Sequence, residues 1–348
     1  MNYRVKRQAG LTLVELMVAT TLSLVLLAGV LLVFSANKTT YQMQTGLGTL
    51  QENGRYAMNR ITADLQMAGF GGCLSPHTGP RIIVLATSPP AYLDNLANGQ
   101  FFGGVNDAAA GAVTFPREPS GNVDVSTGTD SIEIRGALVS GASYVASDIA
   151  TSGAIEVQGT VSSSATTPYF LISDCAGADI FAATGFTANG SNTDVAHAAT
   201  GNTQAALSRG FPKDAVVTEL ATHTYFIGDT GRTNSTGQAI MALYRFDGPG
   251  TRARELVDGV EDLQIEYALD TDDNGTIDAF ADPGGVTNWD EVMAVRVSLL
   301  LNSVNGASGV SAPYTFFPAS STSISPPSND LRLRQEFTAL VSVRNSVL

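Results

Sequence analysis

The chain has 348 residues, of which 44% are hydrophobic, and it contains 35 glycines and 14 prolines. That length is sufficient to bury at least one sizeable hydrophobic core. The formal net charge is −13 at pH 7. Because an acidic surface repels phosphate backbones, nucleic-acid binding through a broad basic face is not expected.

A long apolar segment lies close to the N-terminus. No charged residue and no proline occurs from Leu16 to Phe34. With Leu11 to Val14 in front, the segment exceeds the roughly 20 residues that a helix needs to cross a bilayer. Glu15 interrupts it, although an ionised side chain costs roughly 2.5–3.5 kcal/mol at the bilayer centre. We therefore expect Glu15 to have a partner.

The short segment before the apolar run, residues 1–10, contains Arg4, Lys6 and Arg7 and no acid. The positive-inside bias keeps such a segment in the cytoplasm, so the chain after Phe34 is predicted to be exported. A secretory signal would be cut after its apolar core at a small-residue site. The bulky Phe34 precedes Ser35 and Ala36 there, so cleavage at that point is not expected.

The basic leader ends at Gly10, and Glu15 is the fifth residue after that glycine. This arrangement resembles the class III signal of type IV pilins. The resemblance implies that a prepilin peptidase cuts between Gly10 and Leu11 and that the new N-terminus is methylated. Pilins prefer phenylalanine where this chain has Leu11, and major pilins commonly have proline where it has Leu32. The second difference argues against a major subunit, and a simple signal anchor is the alternative interpretation.

The helical pattern continues beyond the apolar segment. Small and apolar residues recur there at spacings of three and four, as in an amphipathic helix: Leu47, Leu50, Gly54, Ala57, Ile61, Leu65 and Ala68. The pattern predicts one helix over 11–69, transmembrane over about 11–34, with its end at Gly69. Gly46 and Gly48 are the predicted weak point, where a kink or local melting is expected.

The remainder, 70–348, is predicted to be a β-rich head. Its β-prone segments are Ser131–Arg135, Ala154–Val161, Tyr169–Ser173, Val216–Ile227, Ala239–Phe246, Asp262–Leu269, Val292–Leu301 and Glu336–Arg344. Three polar, glycine-containing stretches are predicted to be loops inserted into one sheet system: Pro89–Ala112, Ala182–Gln204 and Val304–Asn329. The predicted fold class is α+β, with a long N-terminal helical stem packed against a large β-rich, pilin-like head.

An acidic motif near the end of the head resembles an EF-hand calcium loop. Oxygen donors at alternate positions, with a glycine at the sixth, are typical of such loops. The predicted ligands are Asp270, Asp272, Asn274, the carbonyl of Thr276, and Asp278. The twelfth position is Ala281 instead of the usual glutamate, so Asp282 or another acid would have to replace it. The motif predicts a structural Ca²⁺ site; a solvated turn is the alternative.

The two cysteines, Cys73 and Cys175, lack the spacing of a zinc or redox site. In an exported chain they are predicted to form one disulfide. No catalytic motif is present, and the three histidines are isolated in the sequence. We interpret His77, His197 and His223 as surface or packing residues.

Several local motifs resemble the PilW family of type IV pilus minor pilins: Glu52–Ala57, Ala68–Cys73, Ser173–Cys175, Glu255–Leu263, Tyr267–Asp278 and Val343–Asn345. The resemblance implies a structural subunit and not an enzyme. Such a subunit primes pilus assembly in the bacterial inner membrane and then lies at or near the fibre tip. The implied partners are other minor pilins, the major pilin, a tip adhesin, the prepilin peptidase/methyltransferase and the inner-membrane assembly platform. In the membrane, Glu15 would pair with the α-amine of a neighbouring subunit.

Two other functions remain open at this point. A type II secretion pseudopilin has the same signal and a β-rich head, but such subunits are usually shorter, and the large tip pseudopilin typically lacks the glutamate that Glu15 supplies here. The second alternative is a membrane-anchored periplasmic enzyme or calcium-dependent adhesin.

Overall fold

The computed structural model describes residues 12–70, 82–136, 142–163, 165, 167–317, 323–327 and 329–343. Helix α1 spans Leu13–Met67 and helix α2 spans Ala91–Ala97, and a short 3-10 helix covers Trp289–Glu291. The strands are β1 (Ile82–Val84), β2 (Phe102–Val105), β3 (Thr114–Pro116), β4 (Asn122–Asp124), β5 (Ser131–Gly136), β6 (Ser143–Tyr144), β7 (Ile155–Gln158), β8 (Tyr169–Asp174), β9 (Gly177–Ala182), β10 (Gly185–Asn189), β11 (Asn192–Ala196), β12 (Val216–Glu219), β13 (Ala221–Thr233), β14 (Ala239–Phe246), β15 (Arg254–Asp258), β16 (Val260–Leu269), β17 (Ala279–Ala281), β18 (Val292–Asn302) and β19 (Arg334–Ser342).

Helix α1 is the stem of the molecule. It begins after Thr12, whose side chain caps it, and it ends just before Gly69, which has a left-handed φ of +67°. Glycine takes that conformation without strain, so the chain can turn off the helix there. The helix continues without a break through Gly46 and Gly48, and the local melting expected at these residues is absent.

The two halves of the stem have different surroundings. In the first half the apolar side chains from Leu13 to Phe34 are exposed. No described residue of this half is buried, and by length and composition it is apolar enough to cross a membrane. The second half buries the face that carries Leu50, Ala57, Ile61 and Leu65. Each fully buried leucine or isoleucine there contributes about 1.5–3 kcal/mol relative to exposure.

Two sheets of the head pack against the stem. One has the strand order β17-β16-β18-β19 and the other the order β15-β14-β13-β5-β2. Alternate residues of β16 and β18 enter the same core as the buried face of α1, among them Ile265, Tyr267, Val297 and Leu299, as expected for strands with one face buried. The long helical stem against a β-rich head confirms the predicted α+β fold class.

The rest of the head is built on further sheets. Strands β1-β9-β8-β12-β6 and β10-β11-β7 enclose a second core that includes Phe170, Ile172, Phe181 and Phe211. The β3-β4 hairpin covers a small third core on the opposite face of β13, around Phe226. The expectation of one sheet system was therefore wrong. Glycine-containing turns interrupt the strands between one sheet and the next. Each sheet then buries its own apolar face in one of the three cores.

Two of the three predicted loops contain regular structure. Pro89–Ala112 includes α2 and β2, and Ala182–Gln204 includes the β10-β11 hairpin. The hairpin closes through Gly190, which has a φ of +63°, and its inward side chains include Val195. Neither strand has a clear apolar alternation, because β10 is largely exposed and the buried positions of β11 include the polar Thr193 beside Val195. In Val304–Asn329 the described residues contain no helix or strand.

Gly54 allows the head to approach the stem closely. A Cβ atom at this position would lie 2.3 Å from Cζ of Phe337 on β19, whereas one at Gly48 would meet nothing within 4 Å. We expect Gly54→Ala to lower the free energy of unfolding by about 1–3 kcal/mol, because the aromatic ring has to move. The matched control Gly48→Ala should raise it by about 0.5–1 kcal/mol through helix propensity. Denaturant unfolding of the detergent-solubilised protein measures both, and shifts in the same direction would contradict the packing argument.

Candidate functional site

The N-terminal end of the stem forms a reciprocal capping box. The Glu15 carboxylate accepts hydrogen bonds from the backbone N and from Oγ1 of Thr12, both at 3.0 Å. The Glu15 amide in turn donates to Thr12 Oγ1 at 3.2 Å. No described lysine or arginine forms an ion pair with Glu15. Gly10 and Leu11, the predicted processing site, lie outside the described residues.

This capping box partly satisfies the Glu15 carboxylate within its own chain. The Thr-x-x-Glu spacing of Thr12 and Glu15 is the sequence signature of a capping box, so Glu15 has a partner in its own chain besides the one expected on a neighbouring subunit. The two hydrogen bonds satisfy the helix end, but they supply no positive charge. A cation brought close to Glu15 would therefore still gain an ion pair.

A buried polar cluster joins the second half of the stem to the head. Asp64 on α1 is only 7% exposed. Its Oδ2 lies 2.7 Å from His223 Nδ1, accepts a hydrogen bond from the Tyr225 hydroxyl and lies 3.9 Å from an Arg245 nitrogen. The other ring nitrogen of His223 lies 3.5 Å from Asp247. Burial, together with the nearby Asp64 charge, raises the pKa of Tyr225, so the phenol remains a donor.

The cluster gives His223 a specific role that its isolated position in the sequence did not indicate. It links a stem carboxylate to a head carboxylate across the interface. Removing one hydrogen-bonding partner from such a cluster leaves a buried polar group unsatisfied, which typically costs about 1–3 kcal/mol. The available signal was Asp64 itself, since it lies on the apolar stripe between Ile61 and Leu65 and a carboxylate there needs partners.

The acidic loop brings three of its predicted ligands together. One carboxylate oxygen each from Asp270, Asp272 and Asp278 lies within 4.8 Å of the others. Asp270 accepts hydrogen bonds from the amides of Asn274 and Gly275 at 3.1 and 2.7 Å. Desolvation raises the pKa of Asp270, but these amide hydrogen bonds outweigh that effect and the pKa is lowered. The carboxylate is therefore ionised and available to a cation.

Asn274 and Thr276 also lie in this loop, where the Thr276 amide donates to Asn274 Oδ1 at 2.8 Å. Asp282, suggested as a replacement ligand, is not in the converging group. It lines a separate cavity of about 520 Å³ together with Asp107, Asp130 and Asp262. Burial raises the pKa of Asp130 to about 6 and that of Asp262 to about 7. Asp130 also accepts hydrogen bonds from two backbone amides, so it fixes the local fold.

Cys175 lies in the tight turn between β8 and β9. The preceding Asp174 holds this turn, because its Oδ1 accepts hydrogen bonds from the amides of Ala176 and Gly177 at 2.8 and 3.0 Å. Arg209 pairs with the same carboxylate. Cys73 lies outside the described residues, and its bond to Cys175 stays a prediction.

Two protein-family models match this chain, one towards each end. The family model described as type IV pilus-assembly protein W matches residues 224–345, and the model of the prokaryotic N-terminal methylation motif matches residues 5–31. A search of curated proteins found no match. A solved type IV-like pilin from Thermus thermophilus is 21% identical over 37% of this chain and 80% of its own, with a TM-score of 0.20. With an identity and a TM-score this low, the similarity carries no argument about the fold or the family of this chain.

The two matched regions correspond to distinct parts of the structure. The methylation motif covers the exposed, membrane-type half of α1. The other match covers most of β13 and all of β14 to β19, which include the strands packed against the second half of the stem. The PilW family is a family of structural proteins and not a known enzyme family. The chain is therefore similar to the PilW family over residues 224–345 and to the prokaryotic N-terminal methylation motif over residues 5–31.

Proposed function

We propose that the protein is a minor pilin that primes assembly of the type IV pilus together with other minor pilins and remains at or near the fibre tip. The observation that carries this proposal is the combination of a prepilin-type stem with a PilW-family domain packed on its second half. Leu32, where major pilins commonly have proline, supports a minor role. The major pilin, the assembly platform and a tip adhesin are further proposed partners.

The proposed topology follows from the charges that flank the stem. The basic leader would stay in the cytoplasm, and the head would lie in the periplasm before assembly and at the cell surface afterwards. Cleavage after Gly10 would remove three of the 19 basic residues, so the formal charge would change from −13 to −16. It would also leave Leu11 with a free α-amine immediately before the capping box.

We expect the mature protein to begin at Leu11 and to be N-methylated. Intact-mass and N-terminal peptide analysis of membrane-extracted protein measures both. Gly10→Val should block cleavage but leave membrane insertion unchanged, because the apolar segment is intact. A native chain that begins at Met1, or after Ala36, would contradict the processing step.

The proposed role of Glu15 is to select correctly docked subunits. In the membrane an unpaired carboxylate is costly, and the Thr12 hydrogen bonds offset only part of that cost. The α-amine of a neighbouring subunit supplies the missing positive charge. Because only one axial position of two packed helices brings the charges together, the pair sets their register.

We expect Glu15→Ala and Glu15→Gln to reduce co-purification with other minor pilins about tenfold or more, which corresponds to roughly 1.4 kcal/mol. Surface pili should decrease in parallel. Glutamine retains the capping acceptor but removes the charge, so the two variants distinguish pairing from capping. Thr12→Val, which removes the capping hydroxyl but keeps the carboxylate, is the matched control and should assemble.

Processing and membrane insertion should be normal in all three variants. If Glu15→Gln assembles like the unaltered protein, capping is the whole role of this residue and the pairing mechanism fails. Normal piliation combined with loss of protein secretion would instead favour a type II secretion pseudopilin.

We further propose that the loop Asp270–Asp278 binds Ca²⁺ and that the ion has a structural role. The three converging carboxylates support this proposal, since they repel one another without a cation and offer the hard oxygen ligands that Ca²⁺ prefers. Asn274 and the carbonyl of Thr276 would complete the set on the same loop. The bound ion would hold the connection between β16 and β17.

Calcium should raise the melting temperature of the protein, because an ion that binds only the folded state stabilises it by about 2.7 kcal/mol at a hundredfold excess over the Kd. Asp272→Ala should abolish the difference between calcium and chelator. Asp273→Asn is the matched control: it removes a charge from the same loop at a non-ligand position, and asparagine tolerates the left-handed φ of +57° found there. Equal melting temperatures with calcium and chelator in the unaltered protein would refute the site.

A further inference from the structure

The head is aligned along the stem, so its two ends can be distinguished. A Cβ atom at Gly46 would lie 2.9 Å from Cβ of Ala307 and 3.9 Å from Cδ1 of Leu333, which directly precedes β19. One at Gly54 would meet Phe337, farther along β19. Farther along the stem, Ala68 forms a bridge with Gly136. Strand β19 therefore runs in the same direction as α1. Residues 303–311 lie at the end nearest the apolar half of the stem, and the acidic loop beyond β16 lies at the opposite end.

Residues 305–311 form a fixed turn at the near end, which we call the proximal tip. The amides of Ala307 and Ser308 donate to the Leu331 carbonyl at 3.0 and 2.9 Å. The Ser308 hydroxyl donates to the Val310 carbonyl at 2.7 Å. A Cβ atom on Gly309 would lie 3.9 Å from Cγ2 of Thr39. The tip is thus held beside the stem, and Val310 remains 69% exposed.

The position of Thr39 places this tip at the level of a membrane surface. Thr39 follows Phe34, the end of the uncharged apolar run, by five residues, or about 7.5 Å of helix. The headgroup layer on each side of a bilayer is roughly 5–7 Å thick. Lys38 and the 70% exposed Tyr41 flank Thr39 on the stem, and lysine and tyrosine are residues that anchor helices at this interface.

The charge distribution of the head supports the same position. No charged residue occurs between Arg296 and Asp330, although the whole chain has a formal charge of −13. This uncharged stretch includes the proximal tip. Carboxylates close to anionic lipid would be repelled, but the proximal tip carries none. The neighbouring acids Glu261 and Asp330 are paired with Arg332 and Arg334.

We infer that the proximal tip rests on the lipid headgroups, with Val310 reaching into the interfacial layer. The contact holds the head at a fixed height above the bilayer while the stem is inserted. It ends when the subunit leaves the membrane. This inference depends on membrane insertion of the stem and not on the proposed role in the pilus.

Brominated lipids test the contact, because bromine quenches tryptophan fluorescence at short range. The full chain is incorporated into nanodiscs at one copy per disc, with lipids brominated near the headgroup or deep in the acyl chains. The unaltered protein is an internal control, since its only tryptophan, Trp289, precedes β18 at the far end of the head. Val310→Trp places a probe at the proximal tip. Ile277→Trp places a matched probe at a 41% exposed site in the acidic loop.

We expect Val310→Trp to lose emission in brominated discs, more with shallow than with deep bromines, and its emission maximum to shift to the blue. Ile277→Trp and the unaltered protein should be unchanged. Equal quenching of the two probes, or none at Val310→Trp in protein that co-elutes with the discs, would overturn the inference. Quenching or a blue shift that requires several copies per disc would also overturn it, because the tip would then contact a second subunit. Co-elution reports insertion of the stem independently of these outcomes.

Discussion

The second half of α1 organises the head through one narrow face that is apolar except for a single buried carboxylate. Leu50, Ala57, Ile61 and Leu65 fill the core between two sheets, and Asp64 lies among them as the buried charge of the helix. A purely apolar face would tolerate sliding or rotation of the helix. The His223 and Tyr225 contacts to Asp64 make one rotation preferable, because in any other the carboxylate would be buried without partners.

This junction matters because, among the described residues, the side chains of the first half of the helix from Leu13 to Phe34 are exposed and do not pack on the head. Forces applied to the first half of α1 would be transmitted along a helix that continues without a break through Gly46 and Gly48. Close packing at Gly54 and the buried cluster at Asp64 then pass them to β13, β18 and β19. The strands that receive this contact lie largely within the family-model match, residues 224–345.

The part of the head before residue 224 has a more independent architecture. Its sheets β1-β9-β8-β12-β6 and β10-β11-β7 bury a separate core around Phe170, Phe181 and Phe211. The Asp174 turn beside Cys175 belongs to this part. A disulfide from Cys73, if formed as predicted, would tie it to the end of the stem. The other face of the same sheet, with Leu171 and Ile180, belongs to the core around the helix, so the disulfide would add to this packing by closing a long loop.

The sequence by itself determined the stem, the β-rich class of the head and the candidate processing, assembly and calcium residues. These features have local signals: an uninterrupted apolar run, a glycine at the end of a three-four pattern, and alternating oxygen donors in one loop. Tertiary structure decided the rest. It separated the strands into several sheets, revealed regular structure in two predicted loops and brought Asp64 to His223, residues that lie far apart along the chain. Periodicity reports which face of an element is apolar, but only packing decides which distant polar group meets the one charge buried on that face.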